Sequence, residues 1–82
     1  MAQKIRQDLS LGKQIRYLRK KQHLTQEEVT VRMQLQGCDI SRSIYSQIEC
    51  GTYSIRVSEL FALAEIFKCD INAIFDFSAV DL

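Results

Sequence analysis

Between positions 41 and 47 the chain reads Ser-Arg-Ser-Ile-Tyr-Ser-Gln, short or hydrogen-bonding side chains interrupted by two apolar ones. On a helix with Tyr45 and Ile48 turned inward, Arg42, Ser43, Ser46 and Gln47 share the outward face. Arginine can bond guanine O6 and N7 together, and glutamine can do the same with adenine N6 and N7. Ile44 suits contact with a thymine methyl. The chemistry is that of reading base edges, although any solvated surface helix shows a polar face. Covalent chemistry has less support. Cys50 and His23 could act as nucleophile and base, but no third group completes them. There is no glycine-rich phosphate loop, no G-x-S-x-G and no acid pair at a telling spacing. The residues therefore point away from an enzyme, with no catalytic residue assigned. Cys38, Cys50 and Cys69 lack a CxxC spacing and read as packing thiols of a reducing compartment. His23 sits at no metal-ligand spacing, so neither a metal nor a cofactor is expected.

Helices must position that face. Leu11, Ile15 and Leu18 follow i, i+4, i+7 and mark an amphipathic first helix, with Ser10 as its N-cap. Lys20, Lys21 and His23 suit its C-terminal dipole. Thr25 and Glu28 form a capping box, and Leu24 with Val29 a hydrophobic staple. A second helix is thus expected over residues 26–33, burying Val29 and Met33. Residues 35–39 read as a connector around Gly37. Ser41 caps a third helix, residues 42–49, after Ile40, and Gly51 ends it. Residues 52–56 read as a loop. Val57, Leu60, Phe61, Ala64 and Phe67 mark a fourth, central helix. Asp70 caps a short fifth one carrying Ile71, Ile74 and Phe75.

The 82 residues, 46% hydrophobic, hold three glycines and no proline, which favours one helical domain. Residues 1–8 read as a flexible lead-in, 9–77 as the domain and 78–82 as a tail. No apolar run approaches a membrane span, and the N-terminal residues lack a signal-peptide core. A cytoplasmic location with no membrane association is expected. Charge is asymmetric. Through Leu24 seven basic residues face one acid, and from Thr25 onward four basic residues face nine acids. One end could meet phosphate, though a solvated helix face would look alike. Lys4 and Arg6 read as a tail, or as an arm touching DNA.

The stretches LGKQIRYLRKKQHLTQEEVTVRM, SRSIYSQIECG and VSELFALAEIFKCDINAIF, in that order, resemble the phage repressor and Cro type of helix-turn-helix, the XRE family. The resemblance covers Leu11 to Phe75. It implies a compact all-α, five-helix, lambda-repressor-like domain whose second and third helices face duplex DNA. By position, Gln26, Ser41, Tyr53 and Arg56 would meet phosphate. Arg42, Ser43, Ser46 and Gln47 would meet bases, and an Arg19–Glu49 pair would hold the third helix from behind. A transcriptional regulator follows, expected to repress by occupying an operator as a homodimer, with the apolar segment from Phe75 to Leu82 either a dimer contact or a cover for the fourth helix. The alternative is a protein-interaction module of the same fold, antitoxin-like or regulator-binding, with weak or no specific DNA binding. Three departures stand out. The connector, residues 34–40, exceeds the usual turn of about 3–4 residues. His23 stands where the family often has Gly, and Cys50 where it often has Asn, both expected in turns.

Overall fold

A computed structural model describes residues 4–5 and 9–76, with side chains from Leu11 onward. In chain order the elements are β1 (Lys4–Ile5), α1 (Leu9–Lys21), α2 (Gln26–Leu35), α3 (Arg42–Cys50), β2 (Ile55–Arg56), α4 (Val57–Ile66) and α5 (Ile71–Ile74). The fold is the expected all-α, five-helix domain, with one two-residue antiparallel ladder added. In that ladder Lys4 lies opposite Arg56 and Ile5 opposite Ile55. The ladder differs from the expectation of a loop at residues 52–56 and gives residues 4–5 of the lead-in a backbone partner. The rest of that lead-in and residues 77–82, with most of the candidate dimer segment, lie outside the described residues.

The helices form where local signals placed them. Thr25 Oγ1 accepts from the Glu28 N–H at 3.1 Å, and Glu28 Oε1 accepts from the Thr25 N–H at 2.9 Å, completing the capping box of α2. Ser41 Oγ accepts from the Ile44 N–H at 3.1 Å, and Asp70 Oδ1 from the Asn72 N–H at 2.8 Å. The cap of α1 is a correction. The helix begins at Leu9, so Ser10 lies within its first turn.

Four helices end in one motif. His23, Gly37, Gly51 and Lys68 all have positive φ, at 58, 88, 80 and 55°. Each N–H, and that of the next residue, folds back onto the last turn. At α1 these bonds run from His23 to the Lys20 carbonyl and from Leu24 to the Arg19 carbonyl, at 3.0 and 3.2 Å. Such closures satisfy carbonyls that the helix leaves unpaired. The residues following His23, Gly37 and Lys68 are Leu24, Cys38 and Cys69, and all three pack against the core. Two of the cysteines are therefore helix-end packing groups. Cys50 is instead the exposed last residue of α3, and the turn at that end falls on Gly51, which corrects its expected place.

The core joins Leu11, Ile15 and Leu18 of α1 to Val29 and Met33 of α2, Tyr45 and Ile48 of α3, and Leu60, Leu63, Phe67 and Ile74. Ile40 and Ile55 close it at the connector and the ladder. Phe61 is a further correction. It points outward and is 58% exposed, while Leu63 and Ile66 are buried on the same helix. Helix α2 runs two residues past Met33, and the connector spans residues 36–41. The Gln34 amide fastens it by donating to the Ile40 carbonyl at 2.8 Å.

Candidate nucleic-acid interface

An α-helix with its side chains is about 10–12 Å across, so the nine-residue α3 fits the width of a major groove, about 12 Å. Tyr45, Ile48 and Glu49 of α3 are buried. Arg42, Ser43 and Gln47 are exposed and Ser46 is half-buried, so the four lie together on the opposite face. None of their side chains has a partner among the described residues. Ile44 is half-buried against the core, which limits its reach toward a thymine methyl. Ser41, just ahead of them, uses its oxygen as an acceptor in the cap and keeps a hydroxyl proton to donate.

Behind this face lies one buried carboxylate with four donors. Glu49 Oε2 accepts from Arg19 Nε at 2.6 Å and from the Tyr45 hydroxyl at 2.6 Å. Glu49 Oε1 accepts from Arg19 Nη2 at 3.1 Å and from Gln26 Nε2 at 3.0 Å. Arg19 Nη1 donates onward to the Leu24 carbonyl at 2.8 Å. The network thus pins α3 to α1 and to the start of α2. Burial pushes the Glu49 carboxyl up, but the bonds from Arg19, Tyr45 and Gln26 outweigh it and hold the group below the usual carboxylate range. Burial first, then the adjacent carboxylate, drives the Tyr45 hydroxyl far upward. The hydrogen bond to Glu49 raises Arg19.

A second buried carboxylate secures the loop after α3. Glu59 accepts from the Arg56 N–H at 2.8 Å and from the Tyr53 hydroxyl at 3.1 Å. Burial, then the charge of Glu59, pushes the Tyr53 hydroxyl up. Its single proton is engaged there, so reaching phosphate through it would require releasing Glu59. Arg56 is exposed at the start of α4. Gln26 is half-buried with one amide N–H on Glu49, and its second N–H remains to donate. The four residues assigned to phosphate therefore come from α2, the connector, the loop after α3 and β2, and three of them, Gln26, Tyr53 and Arg56, are tied to the carboxylates that hold α3 and its loop. Gly12 was not singled out in the sequence, yet α1 meets the α3 backbone there. A glycine inside an otherwise good helix is the signal that could have marked it.

Among the described residues no group of three or more His, Cys, Asp or Glu could hold a metal ion, and no helix is long and apolar enough to cross a membrane. A family model described as "Helix-turn-helix" matches residues 15–74. The match spans most of the chain, which belongs to this helix-turn-helix family, of the phage repressor and Cro type. The family consists of DNA-binding regulatory domains rather than enzymes, and in that general sense the chain is a DNA-binding regulator. Comparison with curated proteins and with solved structures returned no match.

Proposed function

We propose that the chain is a sequence-specific transcriptional regulator that represses by occupying an operator, with α3 in the major groove. The observation that carries this reading is the face formed by Arg42, Ser43, Ser46 and Gln47, unpartnered outside while Glu49 is bound four times inside. Rigid support behind and open hydrogen-bonding groups in front suit base readout. Ser41, Gln26 and Arg56 position the helix by donating to phosphates, and Tyr53 joins them only by giving up Glu59. Arg42 reads guanine and Gln47 adenine.

The unit is a homodimer on a two-fold operator. One module offers a small interface, about 600–1,000 Å². With extents of 30 × 28 × 23 Å, two copies side by side match half-sites about 34 Å apart. Phe75, the exposed start of the segment proposed as the dimer contact, is the large apolar residue of it that the structure describes. Selection from a random duplex pool over a range of salt concentrations tests the whole reading. A palindromic enriched sequence whose affinity falls steeply with salt is expected. No enrichment even at low salt would overturn it.

One observation favours the second reading, a protein-binding module. A cavity of about 270 Å³ lies between the connector and the outer side of α4. Phe61 lines it, and the adjoining Leu35 is 82% exposed. Loss of enrichment together with retained folding would favour that reading.

A further inference from the structure

Gly12 lies inside α1, where alanine is the better helix former. Its backbone does not require glycine, since the positive-φ residues are His23, Gly37, Gly51 and Lys68. Space does require it. A Cβ at Gly12 would stand 2.5 Å from the Glu49 carbonyl oxygen, 2.9 Å from the Glu49 carbonyl carbon and 2.9 Å from the Ile48 carbonyl oxygen. All three are backbone atoms of α3, and no side-chain rotation moves them away. The Ile48 carbonyl is also engaged by the Gly51 N–H, at 3.2 Å. Two turns along the same face of α1, Arg19 grips the carboxylate of that same Glu49. Glu49 is thus fixed twice, by its carbonyl against Gly12 and by its side chain on Arg19.

We infer that Gly12 is a positioning residue for DNA recognition, setting how closely α3 lies against α1 and so how far its outward face projects. Any side chain at position 12 moves the whole recognition helix, because the obstruction is backbone. The inference rests on the reading that α3 enters the groove. Loss of fit at the bases weakens specific binding, whereas phosphate attraction tolerates small shifts.

The test uses Gly12→Ala in two backgrounds, the native chain and one carrying His23→Gly and Lys68→Gly to support folding. Circular dichroism reports helix content, and amide chemical shifts report which backbone moves. Affinity is measured on the duplex selected by the native chain and on a scrambled duplex. The expected variant is folded, its shifts concentrate in residues 42–50, and it binds the selected duplex about tenfold or more weaker. Its affinity for the scrambled duplex changes by less than about threefold. Unchanged preference in a folded variant would overturn the role of Gly12. So would an equal loss on both duplexes, or shifts spread evenly over the chain. A native chain with no sequence preference would instead overturn the DNA reading on which the inference stands.

Discussion

Replacing Glu49 with glutamine tests what holds α3 in place. Four donors converge on the two carboxylate oxygens of Glu49. Glutamine keeps one acceptor oxygen and turns an NH2 group toward the remaining donors. The Arg19 guanidinium, whose side chain is 11% exposed, then loses its counter-charge inside the protein. Removing one partner of a buried pair costs about 3–5 kcal/mol. At about 0.05–0.15 kcal/mol per residue, a chain of this length has about 4–12 kcal/mol in total. Glu49→Gln therefore removes a large share of the stability, and urea unfolding followed by circular dichroism should show it. Adding Arg19→Met removes the stranded charge and should recover about 2 kcal/mol or more, since an apolar replacement of a buried pair is often nearly neutral. A Glu49→Gln variant within about 1 kcal/mol of the native chain would refute the reasoning, because the pair would then behave like a solvated one.

Stability should depend on pH at both ends. The folded pKa of Glu49 is depressed, so its contribution is present above the ordinary value of 4.5 and is lost as pH falls through the lower folded value. The pKa values of Tyr45, Cys38 and Cys69 are raised by burial, so their contribution is present below the ordinary values of 10.0 and 9.0 and is lost as pH rises past them. Melting temperatures from pH 2 to 11 should show a plateau flanked by both declines, and Tyr45→Phe should soften the alkaline one. His23→Gly and Lys68→Gly relieve left-handed backbone strain at two helix ends, and each should stabilise by about 0.5–1 kcal/mol in urea titrations. Loss of stability in both would show that their side chains contribute more than the strain costs. Thr25→Ala removes the acceptor half of a complete capping box and should cost about 0.5–2 kcal/mol, measured in the same way.

Features set by neighbours in sequence were legible from residue types. The Thr25 capping box, the Ser41 cap, the Gly51 turn and the inward Tyr45 and Ile48 all depend on residues within one turn. Ser10 misled because a short polar residue suits a first turn as well as a cap. Features set by the meeting of distant segments were not legible. Arg19 meets Glu49 across 30 positions and Gln14 donates to Ala73 across 59. The first of these was available only through family resemblance, and no residue pattern announces the second. Gln26 looked like a simple phosphate donor because its tie to Glu49, 23 positions away, exists only after folding. Phe61 reads as core on a helical wheel, yet α4 turns that face toward the cavity beside the connector. His23 and Lys68 show the limit of reading turns from glycine, since backbone closure bonds hold both in a conformation that their types do not favour.

The most direct measurement is selection of the preferred duplex by Arg42→Ala beside the native chain. Arg42 is exposed at the first position of α3 and, in the proposed docking, bonds one guanine. The variant should lose preference at a single base position in each half-site, at a cost of about 1–3 kcal/mol there, and keep the rest of the sequence. A preference unchanged at every position, or an equal weakening on all sequences with a shallower salt dependence, would contradict base reading by the front of α3.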